Sequence, residues 1–129
     1  MATGFPASTG DILTAAAYNG LVAFTVSADK TDDYTAVIDD AYQVLVPMNK
    51  ATAVAFKLPT DASVNFPIGT AITVLNKGAG LVTISAVTSG TTTVLSSGAV
   101  LAAPTVAQYN MAVCVKTAAN TWYVSGAIA

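Results

Sequence analysis

Five aspartates lie close together in one segment of the chain, and their spacing raises the question of a calcium site. They are Asp29, Asp32, Asp33, Asp39 and Asp40. Hard cations such as Ca²⁺ bind several carboxylate oxygens from one or two adjacent loops, but this spacing does not match an EF-hand loop. Asp is also common in turns between strands. We therefore predict ordinary solvated turns and no bound metal, with calcium ligation as the alternative.

The residue types needed for common catalytic sites are missing from the sequence. The chain contains no His and no Arg, so acyl-transfer triads and imidazole-rich metal sites cannot be built. The segment 78–80 (Gly-Ala-Gly) precedes a predicted strand and lacks the helix N-terminus that a phosphate cradle requires. We expect no catalytic residue, no cofactor and no enzymatic activity, with chemistry by a Ser/Lys pair as the alternative. Solvated positions, largely at turns and strand ends, are expected for the five lysines at 30, 50, 57, 77 and 116.

Three further side chains are of types that could have a chemical role, but packing is the simpler interpretation for them. Cys114 lies in an alternating apolar run, which predicts a small buried residue in a protein folded in a reducing cytoplasm. Trp122 and Tyr123 are adjacent in a predicted strand, so their side chains point to opposite faces. One ring is expected in the core and the other at solvent or a partner. Carbohydrate stacking by the outward ring is the alternative to packing.

The composition indicates a single domain that assembles with other proteins. Of 129 residues, 53% are hydrophobic and only 9% are charged, whereas soluble domains carry about a quarter charged residues. Apolar surface left uncovered by charge usually marks an interface. The net charge of −2 and the absence of a Lys/Arg cluster argue against nucleic acid as a partner. Neither a cleaved signal peptide nor a stretch of membrane-spanning length is recognisable, so we expect no membrane partner.

The dominant pattern from residue 21 onward has the period of two that is typical of strands. Val22, Phe24 and Val26 alternate with smaller or polar residues, which predicts a half-buried first strand. Turn residues follow at intervals of about ten, and together they predict an all-β domain, a compact antiparallel β-sandwich or barrel-like fold. Pro47 predicts an edge strand or a bulge, and 78–80 a hairpin. Further strands are expected at 34–38, 42–48, 52–58, 70–76, 80–86, 91–95, 106–116 and 121–125.

The first twenty residues differ from the rest and form the other part of the predicted organisation. We divide the chain into 1–20, an N-terminal arm with a short helix, and 21–129, the β domain. Apolar side chains in the arm are candidate interface residues, because the β domain looks complete without them. The alternative is that the helix only seals an open end of the β domain. The candidate interface residues are Phe5, Ile12, Leu13 and Tyr18.

An ordered series of short motifs resembles a β domain found in bacteriophage virion proteins. The series Leu-Pro, Phe-Pro-x-Gly-Thr-x-Ile, Gly-Ala-Gly, Val-Thr-Ile and Asn-Thr-Trp-x-x-Ser-Gly runs in this order over roughly three quarters of the chain. The segment 10–19 is similar to a Gly-Asp-x-Leu-Thr-Ala-Ala-x-x-Asn opening of phage tail and head appendage proteins. The motifs lie at 58–59, 66–72, 78–80, 82–84 and 120–126.

This resemblance implies a component of the virion, made in the cytoplasm of the host bacterium. Our first expectation is a capsid decoration (cement) protein that strengthens the head lattice, because the chain leaves room for only one globular unit. Its partners would then be copies of itself, as a homotrimer, and the major capsid protein or other virion proteins. The alternative is a tail-fibre or baseplate component that recognises a host surface receptor or glycan.

Overall fold

The computed structural model of the protein describes residue 15 and residues 23–129, and this part of the chain is all-β as predicted. The predicted arm and helix of residues 1–20 lie, apart from residue 15, outside the described residues. A short 3-10 turn at Ile38–Ala41 is accompanied by ten strands: β1 (Thr25–Val26), β2 (Tyr34–Thr35), β3 (Val44–Met48), β4 (Val54–Leu58), β5 (Ala71–Asn76), β6 (Val82–Ala86), β7 (Thr93–Ser96), β8 (Thr105–Val106), β9 (Met111–Ala118) and β10 (Thr121–Gly126).

The strands form two sheets that share one hydrophobic core. The larger sheet has the order β1-β3-β5-β9-β10-β7, and the smaller has the order β2-β4-β6-β8. Consecutive strands β1 and β2, β3 and β4, and β5 and β6 therefore lie in different sheets. Each of these pairs makes an arch from the larger sheet to the smaller one, and the three arches stack side by side.

The stacking of arches corrects the prediction of an antiparallel fold. Strands at equivalent places in successive arches run in the same direction, so β1–β3–β5 and β2–β4–β6 pair in parallel, as do β7 and β10. Only β5–β9, β9–β10 and β6–β8 pair antiparallel. Parallel neighbours ordinarily need a long crossover. Here the crossover consists of a strand in the second sheet and the short turns on either side of it. In the sequence these short turns look the same as hairpin turns.

The segment 77–81 shows the difference most directly, because it joins β5 to β6 across the two sheets and is not a hairpin. It stacks on the β3–β4 connection through backbone bonds in which Lys77 N donates to Met48 O and Gly80 N to Lys50 O. The two backbones approach so closely that a Cβ on Gly80 would overlap the backbone of Thr52. Glycine is therefore needed here for close approach.

Asn76, the last residue of β5, holds this end of the arches together. Its buried amide Nδ2 donates to Gly80 O and to Val106 O, both at 2.8 Å, and its Oδ1 accepts from Gly78 N at 3.0 Å. A buried amide without such partners would be strongly destabilising. One side chain thus fixes the β5–β6 connection and joins it to β8 of the opposite sheet.

Alternating side chains of both sheets fill the core, in agreement with the period-two pattern. Cys114 is fully buried, as predicted, and burial raises the pKa of its thiol to about 12. It is therefore a packing residue with no thiolate character near neutral pH. The other fully or almost fully buried strand residues include Val44, Val46, Met48, Val54, Phe56, Leu58, Ile72, Val74, Val82, Ile84, Val94, Ala112, Trp122 and Val124.

The predicted first strand is wrong in its orientation. Phe24 and Val26 were expected to face the core, yet 61% and 65% of their surfaces are exposed. Strand β1 comprises only Thr25–Val26 and lies at the edge of the larger sheet. An edge strand this short buries little on either face. The alternation of its apolar and polar residues therefore does not show which face points to the core.

Two other predicted strands are interrupted. The strand expected at 34–38 ends at Thr35, and the chain then enters the 3-10 turn. The strand expected at 106–116 is divided into β8 and β9 by a turn in which Tyr109 has a φ of 67°. This left-handed conformation is uncommon for an aromatic residue, so propensity alone gave no sign of the break.

Pro47 occupies the second strand of the larger sheet, so the edge-strand alternative for it is wrong. The pairing beside it is irregular: Ser27 N donates to Leu45 O and Lys30 N donates to Pro47 O. Lys30 follows Ser27 by three positions, whereas Pro47 follows Leu45 by two. One extra residue on one side of a strand pair is characteristic of a β-bulge, which fits the other alternative predicted for Pro47. The missing N–H of proline falls where regular pairing has already ended.

Substituting Gly80 tests the close packing of the arches. We expect Gly80→Ala to lower the free energy of unfolding by roughly 3 kcal/mol or more, because the added Cβ displaces the backbone of the neighbouring connection. The matched control is Ala79→Ser at the adjacent exposed position, for which a change within about 0.5 kcal/mol is expected. Urea denaturation followed by circular dichroism measures both. Equal midpoints for the two variants would contradict the packing described here.

Candidate functional site

The candidate interface residues of the arm, Phe5, Ile12, Leu13 and Tyr18, lie outside the described residues, so their role stays a prediction. The surface and cavities of residues 23–129 therefore provide the structural candidates. Three of them involve chemistry-bearing side chains: the aspartate-rich turns, a groove beside Tyr123 and a cavity beside Lys116.

Two of the clustered aspartates are engaged with lysines. Asp29 lies 3.0 Å from Lys77 Nζ through both carboxylate oxygens and accepts a hydrogen bond from Asn49 Nδ2 at 3.0 Å. The Asn49 amide first, and Lys77 second, lower the pKa of Asp29 below its ordinary value. Its contribution to stability is therefore present above that ordinary pKa and is lost on acidification. Asp32 accepts from Lys50 Nζ at 2.7 Å.

Two more aspartates bind groups of the protein's own backbone and side chains. Asp33 Oδ1 accepts from Ala55 N at 2.9 Å, which joins the β1–β2 turn to β4. Asp40 Oδ2 accepts from Tyr34 Oη at 2.6 Å and from Val37 N at 3.0 Å. Burial first, and then Asp40, raise the pKa of Tyr34. Within residues 23–129 no group of three or more potential metal ligands comes together.

Chelation tests the interpretation of these turns as structural. We expect the melting temperature to be the same with EDTA as with added Ca²⁺, since the carboxylates already have protein donors. Differential scanning fluorimetry at a fixed ionic strength is the measurement, with Mg²⁺ as a control for charge screening. A fall of several degrees on chelation that only calcium reverses would identify these carboxylates as ligands.

Trp122 and Tyr123 confirm the prediction that one ring is buried and the other is outward. Trp122 is fully buried and packs edge to face on Phe66, with ring centroids 5.4 Å apart. Tyr123 has 50% of its surface exposed. It borders a shallow groove of about 480 Å³ between β7 and β10, which we call the β7–β10 groove. The groove is lined by Leu95, Ser96, Ser97, Leu101, Tyr123, Val124 and Ser125.

The β7–β10 groove belongs to a surface on which many large hydrophobic side chains are exposed. Its lining contains no charged residue, so it suits an apolar protein surface or a sugar ring better than an ionic ligand. Among the described residues, twelve large hydrophobic side chains are substantially exposed. They are Phe24, Val26, Val37, Ile38, Ile68, Leu81, Val87, Val100, Leu101, Tyr109, Met111 and Tyr123.

Lys116 corrects the expectation that the lysines are solvated, because only 1% of its side chain is exposed. It lies on the inward face of β9 with Ala112 and Cys114, four and two residues before it. That spacing was visible in the sequence and marks position 116 as inward-facing. The charge of lysine concealed the signal, since a buried lysine is rare without a partner.

Three oxygen atoms of the protein surround Nζ of Lys116. Nζ lies 2.8 Å from Asp61 Oδ1, 2.7 Å from the carbonyl oxygen of Phe66 and 3.3 Å from Asn65 Oδ1. Asp61 is held by Asn120, whose N–H donates to Asp61 Oδ2 at 3.0 Å and whose Oδ1 accepts from Asp61 N at 2.8 Å. The loop before β5 is thereby tied to the β9–β10 turn.

A cavity of about 510 Å³ opens beside this ion pair and connects it to solvent. Because Nζ of Lys116 is already paired with Asp61 and donates to two further oxygens, the cavity presents no free cationic group to a ligand. Asp61 and Asn65, however, remain accessible from it. Its lining comprises Asp61, Asn65, Phe66, Pro67, Ile68, Lys116 and Ala119.

Comparisons with family models, curated protein sequences and solved structures give no match for this chain. In the described part of the chain, no helix has the length and apolar character needed to cross a lipid bilayer.

Proposed function

We propose that the chain is a non-enzymatic structural protein of a bacteriophage virion, and specifically a capsid decoration protein that stabilises the head lattice. The observation that carries this proposal is the uncharged β7–β10 groove within a surface that exposes many large hydrophobic side chains. Apolar surface of this kind is usually covered by another protein. A protein that covers a lattice and contacts its own copies would use such surface at several places.

The polar and ionisable side chains described above contact other groups of the protein, which supports the non-enzymatic part of the proposal. Cys114 is buried, and Nζ of Lys116 contacts three oxygen atoms of the protein. Asp29 and Asp32 are paired with lysines at the surface. In the described part of the chain, these groups stabilise turns and strand connections.

The two sheets also support a more specific description of the fold, a sandwich. The larger sheet ends at β1 and β7 and the smaller at β2 and β8, so the strand orders are open. Side chains from both sheets meet in one core. A rigid sandwich with open, short edge strands is suited to presenting surface patches at fixed positions on a symmetric lattice.

A tail-fibre or baseplate protein that binds a host receptor or glycan is the second candidate. The half-exposed ring of Tyr123 favours it, because an aromatic face can stack on a sugar ring. The hydroxyl-bearing residues Ser96, Ser97 and Ser125 line the same groove and would supply hydrogen-bonding groups. Locating the protein in the intact particle, on the head or on the tail, distinguishes the two candidates.

Self-association is a direct consequence of the proposal. We expect the purified chain to form a homotrimer at micromolar concentration, because apolar surface is abundant and charge repulsion is weak. Multi-angle light scattering measures the mass. Substituting Leu101 and Tyr123 by Ser should weaken association if the groove is the contact, whereas Val87→Ser serves as a matched exposed control. A monodisperse wild-type monomer would contradict the prediction and weaken the decoration proposal.

We propose that the arm of residues 1–20 docks on the virus particle through its candidate interface residues, and deletion of the arm tests this role. We expect a chain lacking residues 1–20 to keep its β-sheet circular dichroism but to lose binding to particles that lack the native protein, because the arm supplies the apolar anchors. Co-sedimentation with those particles measures binding. A finer variant, with Phe5 and Ile12 replaced by Ser, separates loss of anchors from loss of length. Unfolding of the truncated chain, or binding with unchanged affinity, would assign docking elsewhere.

A further inference from the structure

Lys116, Asp61 and Asn65 form a cluster in which an amine, a carboxylate and a carboxamide meet at the edge of the core. The amine is buried, while the carboxamide of Asn65 is exposed at the cavity beside it. Nζ of Lys116 lies 2.8 Å from Asp61 Oδ1 and 3.3 Å from Asn65 Oδ1. The ion pair accounts for Asp61, whereas a hydroxyl group or a water molecule could accept from Lys116 as well as the carboxamide of Asn65 does.

We propose that Lys116 and Asn65 form an intramolecular isopeptide bond, with Asp61 as the group that transfers the protons. The new bond joins Lys116 Nζ to Asn65 Cγ, and the bond that breaks joins Asn65 Cγ to its own Nδ2. Ammonia leaves, and no oxidant, reductant or other reactant is needed. This modification does not depend on the proposed virion function.

The proton transfers balance within the three groups. Asp61 first takes a proton from the Lys116 ammonium, which leaves a neutral amine with a free electron pair. The amine attacks Asn65 Cγ to give a tetrahedral intermediate that carries a negative oxygen and a positive amine nitrogen. The attacking nitrogen loses a second proton and the departing Nδ2 gains one, with Asp61 relaying it. At the end Asp61 is a carboxylic acid and releases its proton to solvent or to the departing ammonia.

Packing holds the side chain of Lys116 in place. Lys116 lies on the inward face of β9, directly across from Trp122 in the β9–β10 register. The ring of Trp122 in turn packs on Phe66. Only 1% of the Lys116 side chain is exposed, and its Nζ is held beside Asp61 and Asn65.

The positions of Lys116 and Asp61 are fixed by the rest of the fold. The carbonyl oxygen of Phe66 accepts from Lys116 Nζ at 2.7 Å, and Asn120 holds Asp61 from two sides. Asn65 Cγ lies no farther than about 4.5 Å from Nζ, since a C=O bond adds about 1.2 Å to the 3.3 Å distance to Oδ1. A rotation of the exposed Asn65 side chain closes this gap toward the roughly 3–3.5 Å of a reactive contact.

The leaving group also has an exit. The cavity lined by Asn65 and Ile68 connects the cluster to solvent, so ammonia can diffuse away. Its dilution in bulk water makes the reaction irreversible in practice. The product would be a covalent link between the loop before β5 and strand β9, which are 51 residues apart in the chain.

The test is the intact mass of the full chain after prolonged incubation at neutral pH. We expect a loss of about 17 Da, the mass of ammonia, relative to the sequence. Succinimide formation at Asn19–Gly20 would release ammonia as well, so tandem mass spectrometry must find the peptides of Lys116 and Asn65 linked to each other. The unmodified mass in the wild-type chain would overturn the proposal.

Three variants assign the roles. Asn65→Ala, at an exposed position where folding should be unaffected, is expected to keep its full mass. Asp61→Asn retains the size of the side chain but not its ability to accept a proton, so it should also keep its full mass. Asn49→Ala changes an exposed Asn that contacts a different carboxylate, and should lose ammonia as the wild type does. A loss retained in Asn65→Ala, or a loss of about 18 Da with Asp61 linked to Lys116, would overturn the role given to Asn65.

Discussion

The stacking of the arches depends on one constraint, the satisfaction of polar groups where β5 leaves the larger sheet. At that point the chain crosses from the larger sheet to the smaller one, and its backbone N–H and C=O groups lose their strand partners. The amide of Asn76 replaces them with three hydrogen bonds that reach Gly78, Gly80 and Val106. Backbone bonds from Asn110 and Tyr109 complete the same junction: Asn76 N donates to Asn110 O, and Tyr109 N donates to Asn76 O. Without this side chain, the β5–β6 connection would leave buried groups unpaired and the arches would not close.

Much of the fold could be predicted from the sequence, because alternation and turn residues report strands directly. Seven strands, from β3 to β10 with the exception of β8, lie within or close to their predicted ranges. Cys114 is buried as expected, and one of the two adjacent rings, that of Trp122, is buried while the other is exposed. The direction of pairing could not be predicted. A five-residue turn that crosses between sheets, such as 77–81, has the same composition as a turn within one sheet. What differs is the contact of Gly80 with the backbone near Thr52, which is distant in sequence.

The candidate site was less accessible to sequence reasoning than the fold. Lys116 occupies an inward position, but its partners Asp61 and Asn65 lie in a loop whose position depends on the whole larger sheet. The orientation of Phe24 and Val26 was misjudged for a similar reason, since alternation shows that a strand has two faces but not which face is covered. The alternation showed that the side chains of Trp122 and Tyr123 point to opposite faces, but not which of the two rings is buried. In each case the missing information is tertiary.

The central position of β5 has a consequence for how the chain folds during synthesis. Strand β5 pairs with β3 on one side and with β9 on the other, and β9 begins 35 positions after β5 ends. While the ribosome makes the intervening residues, one side of β5 carries unpaired N–H and C=O groups along its full length, and such an edge can recruit strands from other chains. Non-local pairing of this kind also slows folding, since loop closure precedes the contacts that compensate for it. Strands β9 and β10, which follow β5 in the chain, therefore complete the larger sheet, and the nascent protein is most vulnerable to aggregation just before they emerge.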